Sequence, residues 1–177
     1  KYKKEFYDHL KKQYNKSELI LLATRYSNED LKILDELINL LLKDNKKILI
    51  FDNALVQTNK EGISINRLFN YVQKNKKFPD KKSLNLIERR MFLDLKNLND
   101  LNSRIRIIAE KNNIPLIERK RIFCNLAKKI CPSITKEYHN IYWDPEHITD
   151  KGAEFFSRII EKDIEFQEYL NSTLNIQ

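Results

Sequence analysis

The sequence lacks several features that would place it in a class at once. It has no run of eighteen or more apolar residues, so no segment is expected to span a membrane. Its basic N-terminal stretch is not followed by the apolar core of a signal peptide. The absence of an initiator Met suggests that the chain begins partway through a longer product. With 177 residues, 41% hydrophobic and 33% charged, it is expected to form one globular domain.

A clustered basic surface is also lacking, although the net charge is +8. The lysines are scattered among Asn and Glu, as in the stretches KDNKK, QKNKK and AEKNN. No signature of a DNA- or RNA-binding motif is present. We therefore expect no nucleic-acid partner.

Cysteine is scarce, and the two residues present, Cys124 and Cys131, enclose the stretch CNLAKKIC. This spacing fits neither a redox C-x-x-C motif nor a zinc knuckle. In a continuous helix the two residues would lie about 10 Å apart, too far for a disulfide. In a bent loop they can form a disulfide, which would imply an oxidising compartment. The spacing leaves both alternatives open.

Apolar periodicity predicts alternating helices and strands. Short, unbroken apolar runs at 17–26, 47–54 and 114–119 are typical of buried strands, and 140–144 reads as a further short extended segment. Helical spacing is found at 1–14, after an N-cap at Ser27 or Asn28, in a weaker region broken near Phe78 and Pro79, at 84–112 and at 149–170. Strands separated by helices predict an α/β fold, a three-layer α/β/α sandwich around a parallel sheet.

Polar segments follow three of these strands. They are 23–27 after the first strand, 52–54 after the second and 143–147 after the last. In parallel sheets, ligands bind at the carboxyl ends of the strands. If the fold is as predicted, the three segments meet at one edge and form a candidate site.

The segment YWDPEH places Asp144 three residues before His147. A carboxylate in that position can accept the proton on Nδ1, fix the tautomer and leave Nε2 free to act as a base. Pro145 disfavours a helical conformation at Asp144. Thr149 can cap the following helix, whose dipole would disfavour the imidazolium form.

Spacing alone favours a simpler interpretation of this segment, a surface turn with a half-buried His ahead of a helix. A metal site of Asp144, His147 and His139 would need further ligands that the spacing does not supply. We expect no metal and no cofactor.

The final block of the sequence reads NIYWDPEHITDKGAEFFSRII. It resembles the last conserved block of SGNH, or GDSL-type, hydrolases, in which Asp-x-x-His precedes a short helix start and Gly-Ala. The closest resemblance is to the SGNH domains fused behind the membrane acyltransferase-3 domain of bacterial polysaccharide O-acetyltransferases. Earlier blocks agree in order: ELILLATRYS, KKILIFDNAL and LNSRIRIIAEKNNIPLIERKRIFCNLAKKICPS. The resemblance covers nearly the whole chain and implies a flavodoxin-like α/β/α sandwich.

The resemblance implies a Ser–His–Asp triad in which His147 is the base and Asp144 orients it. The family's nucleophile lies in a Gly-Asp-Ser motif that this sequence does not contain, and Ser17 stands at the wrong end of its strand. We therefore expect residues 1–177 to form a single SGNH-like domain that lacks its first strand and nucleophile block. A degenerate, inactive domain is the alternative.

Arg25 stands where simple SGNH esterases carry Gly-x-Asn-Asp. Its guanidinium can stabilise an oxyanion or hold an acidic sugar. Equally, it can form an ion pair with a carboxylate at the end of the strand.

The resemblance thus implies an SGNH domain of a cell-envelope polysaccharide O-acetyltransferase, working through an acyl-serine intermediate. The acetyl donor would come from a membrane acyltransferase domain, and the acceptor would be a polysaccharide or other glycan. The implied location is periplasmic or otherwise extracytoplasmic, tethered to the inner membrane through a region absent from this chain, with Cys124 and Cys131 bridged. The alternatives are a carbohydrate esterase and a non-catalytic carbohydrate-binding domain of the same fold.

Overall fold

The computed structural model describes residues 2–54, 56–57 and 63–174. The helices within these residues are α1 (Tyr2–Lys16), α2 (Asn28–Lys43), α3 (Arg67–Asn75), α4 (Lys81–Asp94), α5 (Asn99–Lys111), α6 (Arg119–Phe123), α7 (Asp150–Ile160) and α8 (Ile164–Leu174). A 3₁₀ turn at Leu95–Leu98 joins α4 to α5. The strands are β1 (Leu19–Leu22), β2 (Lys47–Phe51) and β3 (Leu116–Ile117). None of the helices described is both long and apolar enough to cross a membrane.

The three strands form one parallel sheet in the order β1-β2-β3. Leu19 pairs with Lys47, and Ile50 pairs with Leu116. Parallel neighbours need crossover connections, which α2 supplies between β1 and β2 and α3 to α5 supply between β2 and β3. The predicted α/β class with a parallel sheet is confirmed.

Helices pack on both faces of the sheet, because alternate residues of β2 enter two separate cores. The first face is the cluster Tyr26, Leu31, Leu34, Ile38, Leu41, Ile48, Ile50, Ile105, Ala109 and Ile114. The second face is the cluster Leu49, Met91, Ile117, Ile122, Cys124, Cys131, Ile141, Tyr142 and Phe156. The sheet is therefore the middle layer of three.

Helix α2 follows the sequence prediction closely. Ser27 is its N-cap, and a capping box joins Ser27 and Asp30 reciprocally. The periodic apolar residues Leu31, Leu34, Ile38 and Leu41 are buried. Leu42, next to Leu41, is 40% exposed, so the buried stripe of α2 does not include it.

Two predicted helices are interrupted. The pattern at 84–112 is split by the 3₁₀ turn at Leu95–Leu98, and the pattern at 149–170 is split after Ile160. At the second break, the Asp163 carboxylate accepts the backbone N–H of Phe166, so it caps α8. The same carboxylate pairs with Arg121 at 2.9 Å. Apolar spacing continues through both breaks, which is why periodicity alone missed them.

The predicted extended segment at 140–144 is not a strand of the sheet. Asn140 and Tyr142 each make an isolated antiparallel bridge, to Ile134 and Ile148 respectively. These bridges hold the segment in irregular structure packed against the second face. The short apolar pattern reflects the burial of Ile141 and Tyr142 rather than a position in the sheet.

The cysteine segment adopts the bent alternative. Asn125 and Ile130 exchange backbone hydrogen bonds of 2.8 and 3.2 Å, and Lys129 has a φ of 54°. This tight hairpin brings the sulfurs of Cys124 and Cys131 together as a disulfide. Cys131 is fully buried, so the disulfide is part of the second face.

Strand β1 differs from the prediction of a buried strand. In the part of the chain that the structure describes, it lies at one end of the sheet and pairs with β2 alone. Leu21 at its centre is 51% exposed. An apolar strand with an open edge is a surface that proteins ordinarily cover.

Candidate functional site

The turn that carries Asp144 and His147 is closed by backbone hydrogen bonds. Trp143 N–H donates to the His147 carbonyl at 2.9 Å, and Thr149 N–H donates to the Ile141 carbonyl at 2.9 Å. Thr149 is the N-cap of α7, because its hydroxyl accepts the N–H of Gly152 at 3.0 Å. The predicted cap is therefore present, and His147 lies two residues before it.

Gly152 allows the start of α7 to approach this turn. A Cβ at this position would lie 2.3 Å from the carbonyl oxygen of Ile141, which is a backbone atom held in place by Thr149. Only a residue without a side chain fits such a close approach. Gly152 thus fixes the position of α7 relative to the segment that contains the turn.

Asp144 and His147 form a hydrogen-bonded carboxylate–imidazole pair. Its Oδ2 lies 2.7 Å from Nδ1 of His147, and its Oδ1 accepts the backbone N–H groups of Glu146 and His147, each at 2.7 Å. The carboxylate is thus held on both oxygens and faces the imidazole. With Asp144 ionised, this contact places the proton of the neutral imidazole on Nδ1 and leaves Nε2 as the basic nitrogen.

The electrostatics favour an ionised carboxylate beside a basic imidazole. The N–H of Glu146, followed by the hydrogen bond from His147, lowers the pKa of Asp144 to about 2. The hydrogen bond to Asp144 in turn raises the pKa of His147. The position of His147 just before α7 predicts that the helix dipole favours the neutral imidazole. Because a dipole end is worth about half a charge, the full charge of Asp144 at hydrogen-bond distance outweighs it.

The Nε2 side of the imidazole is open to solvent. The side chain of His147 is 75% exposed and that of Asp144 is 38% exposed. No side chain in the described part of the chain bonds to Nε2 of His147. Trp143 beside the pair is 79% exposed. The imidazole is therefore accessible from solvent.

Arg25 reaches the same turn from the end of β1. Its Nη1 lies 2.5 Å from Oε2 of Glu146, the residue before His147. The structure thus brings the segment after the first strand and the Asp-x-x-His turn to one edge of the sheet, as the sequence analysis expected. It also places Arg25 in an ion pair with a carboxylate, one of the two alternatives left open by the sequence.

Asn53, after β2, joins the third segment to this edge. Its side chain accepts the N–H of Tyr26 at 2.7 Å and donates to the Tyr26 carbonyl at 3.2 Å. This reciprocal pair fixes the backbone next to Arg25. Residues 52–54 were expected at this edge, but the sequence indicates no role for Asn53, which is buried.

Gln57 and Asn66 support the turn from a direction that sequence reasoning missed. Gln57 N–H donates to the Pro145 carbonyl at 3.2 Å, and its side-chain oxygen accepts the N–H of Arg67 at 2.9 Å. Asn66 donates to the Tyr142 carbonyl at 3.1 Å. In the sequence, Gln57 and Asn66 are visible only as two amide side chains at the ends of a polar stretch. That stretch has no apolar periodicity from which these contacts could have been predicted.

Ser27, near this edge, and Ser17, at the opposite end of β1, both have structural partners. The hydroxyl of Ser27 bonds to the Asp30 carboxylate at 2.7 Å within the capping box. Ser17, at the start of β1, donates to the Gln13 carbonyl at 2.8 Å. Neither contact joins a hydroxyl to His147. Among the described residues, no cluster of three His, Cys, Asp or Glu side chains is arranged to hold a metal ion.

A parallel α/β sandwich with an Asp-x-x-His pair at its carboxyl edge is the arrangement expected of an SGNH-type hydrolase domain. Residues 1–162 match the family described as "SGNH domain (fused to AT3 domains)", and the chain belongs to this family.

One solved structure similar to this chain is the periplasmic domain of the lipopolysaccharide acetyltransferase of Salmonella ser. Paratyphi A. The two are 20% identical with a TM-score of 0.47. The match covers 84% of this chain and 57% of that one, so this chain spans little more than half of its length. The comparison with curated proteins found no match.

Proposed function

We propose that this chain is the acyl-transferring SGNH domain of a cell-envelope polysaccharide O-acetyltransferase. An acetyl group delivered by the membrane acyltransferase domain passes to a serine and then to a hydroxyl of a glycan acceptor. His147 takes the serine proton as the serine oxygen attacks the acetyl carbonyl, and it returns the proton to the leaving group. Asp144 fixes the tautomer of His147 and stabilises the imidazolium that forms.

The observation that carries this proposal is the contact of 2.7 Å between Asp144 Oδ2 and His147 Nδ1, with Nε2 open to solvent. Asp-x-x-His spacing is common, but here the carboxylate is fixed by two backbone N–H groups. These two backbone contacts orient the carboxylate so that Oδ2 faces the exposed imidazole.

The nucleophile is supplied, in this proposal, by a segment of the protein outside residues 1–177. The open edge of β1 supports this placement, because a strand paired there covers the exposed Leu21. Such a strand, if parallel to β1, ends at the same edge as Arg25 and His147. Its terminal serine is then within reach of Nε2.

Arg25 is the proposed electrostatic partner of the acyl group or acceptor. Its guanidinium is tied to Glu146 yet 63% exposed, so it keeps donors available for an incoming oxyanion or carboxylate. The Glu146 contact holds it next to the base.

The disulfide supports a location outside the cytoplasm, since such bonds persist in oxidising compartments. In this proposal, fusion to the membrane acyltransferase domain tethers the SGNH domain to the inner membrane. Acyl transfer to the glycan then takes place on the periplasmic side.

The test is hydrolysis of p-nitrophenyl acetate by the full-length protein and by residues 1–177 alone. We expect the full-length protein to be active, His147→Ala to reduce it to background, and the matched variant His139→Ala to keep the activity. Residues 1–177 alone should turn over little faster than background, because they lack the nucleophile. Strong esterase activity of residues 1–177 that is sensitive to serine reagents would contradict the proposed nucleophile and implicate a serine such as Ser27.

A further inference from the structure

A cleft between α3 and α4 lies outside the Asp144–His147 pair. Its volume is about 410 Å³, within the range of ~300–1,000 Å³ that is usual for small-molecule sites. The lining side chains that matter are Arg67, Asn70, Tyr71, Lys74, Leu86 and Arg90. They combine an aromatic ring, an amide, an apolar wall and three cations.

Two of the three cationic side chains that line the cleft, Lys74 and Arg90, have no carboxylate partner among the described residues. Arg67 is neutralised by a two-bond pair with Asp94, at 2.8 and 2.9 Å. Lys74 and Arg90 are different, because no carboxylate in the described part of the chain lies within ion-pair distance of either. None of the described lining residues is acidic. The cleft therefore attracts a negatively charged ligand.

The apolar part of the lining suits a sugar ring. Tyr71 is partly buried, and its hydroxyl bonds to Ser83 at 3.3 Å, which holds the ring in place. Leu86, on α4, is 61% exposed and adds an apolar surface to the lining. An aromatic face beside amide and hydroxyl groups can pack against the C–H groups of a sugar while bonding its hydroxyls.

The cleft is connected to the site by hydrogen bonds at the start of α3. Asn66, the N-cap of α3, donates to the backbone of Tyr142, and the N–H of Arg67 is bonded to Gln57, which in turn bonds to Pro145. The helix that lines the cleft therefore begins against the turn that carries Asp144 and His147. The exposed ring of Trp143 lies in that same turn.

We propose that the cleft between α3 and α4 binds a negatively charged sugar unit of the acceptor glycan, next to the unit that receives the acetyl group. This inference rests on the proposed function and narrows its acceptor to an anionic glycan. Arg90 and Lys74 bind the carboxylate or other anionic group, and Tyr71 packs against the ring. The glycan extends from the cleft toward the turn that bears Trp143 and His147.

The test compares two double variants of equal charge change in the full-length protein. Lys74→Gln with Arg90→Gln removes the two unpaired cations of the cleft. Lys77→Gln with Arg89→Gln removes two neighbouring cations that do not line it. Binding of tetragalacturonic acid is measured by calorimetry, with maltotetraose as the neutral probe and anionic phosphatidylglycerol vesicles as a second anionic surface. All four positions are exposed, so the variants should keep the thermal midpoint of the wild type.

We expect the cleft variant to bind tetragalacturonic acid at least about tenfold more weakly than the wild type, since it loses two charge-assisted contacts. The neighbouring variant should bind the acid within about twofold of the wild type. Both of these proteins should bind maltotetraose more weakly than the acid, whereas the cleft variant should lose this preference. Equal losses in the two variants, or binding of vesicles without binding of the oligosaccharide, would overturn the proposal.

Hydrolysis of p-nitrophenyl acetate separates this inference from the proposed function. The substrate carries no sugar, so the cleft variant should hydrolyse it at the wild-type rate. Loss of oligosaccharide binding with hydrolysis retained supports the cleft. If His147→Ala also hydrolyses the ester normally, the acyl-transfer proposal fails while the binding result stands.

Discussion

The two faces of the sheet are built in different ways. The first face packs the long helices α2 and α5 through aliphatic side chains such as Ile38 and Ile105. The second face combines helices with the irregular segment 124–149, a disulfide and clustered aromatic rings, among them Phe123 and Phe156 with ring centres 4.2 Å apart. The candidate pair emerges from the second face directly after Tyr142. The regular packing of the first face stabilises the fold. In the second face, specific polar contacts and close approaches position Asp144 and His147.

Gly152→Ala is the strongest way to break the second face. The added methyl group would overlap the Ile141 carbonyl, and we expect a loss of about 3 kcal/mol in the free energy of unfolding. Esterase activity of the full-length protein should fall as well, because the turn follows Ile141. Urea denaturation gives the first quantity. Ala153→Gly in the same helix is the control, with a cost of about 1 kcal/mol; equal costs would mean that the close approach at Gly152 is not needed.

Reduction of the disulfide should have the next largest effect. An eight-residue loop closed by Cys124 and Cys131 is expected to contribute about 2 kcal/mol. The thermal midpoint should fall when a reductant is added. The double variant Cys124→Ser with Cys131→Ser should melt lower and show no response to the reductant. A wild-type midpoint that ignores the reductant while free thiols are detected would show that the hairpin holds without its bridge.

Ile38→Val tests the first face and should have the smallest effect. Removing one methylene from this fully buried side chain should cost about 1 kcal/mol in the free energy of unfolding. Hydrolysis of p-nitrophenyl acetate should remain at the wild-type rate, because the change lies in the scaffold. A loss of activity as large as that of Gly152→Ala would remove the distinction between the two faces.

The contrast between the faces also explains what the sequence could predict. Helix α2 and its buried residues follow from apolar periodicity. Residue type and position predicted a cap at Ser27 or Asn28, of which the structure has Ser27, and a cap at Thr149. The contact between Asp144 and His147 was predictable because the two residues lie within one turn. These features depend on neighbours in the sequence, where local rules apply.

The features that escaped prediction depend on distant partners. Asn53 bonds to Tyr26 across 27 residues, and Asn66 bonds to Tyr142 across 76. Such contacts leave no periodic signal. Strand β3 has two residues, whereas the apolar run predicted a strand at 114–119. Its length is set by its pairing with β2 and not by apolar character alone. The spacing of Cys124 and Cys131 was compatible with both a continuous helix and a bent loop. Only the structure shows that the segment is a bent hairpin closed by a disulfide.

The central claim is that Asp144 fixes His147 as a base, and Asp144→Asn tests it most directly. An Asn side chain can still accept the two backbone N–H groups, but its amide would donate to Nδ1 and place the imidazole proton on Nε2. The measurement is the pH dependence of acetyl ester hydrolysis by the full-length protein, with Asp150→Asn as the matched control. Asp150 is the first residue of α7.

In the wild type, the rate should fall as pH decreases through the pKa of His147, which the Asp144 carboxylate raises above its ordinary value. In Asp144→Asn we expect the maximal rate to drop about 10³- to 10⁴-fold. The fall should also move to lower pH, because the charge that raised the pKa is gone. Asp150→Asn should retain the wild-type profile. An Asp144→Asn protein with the wild-type rate and profile would contradict the account.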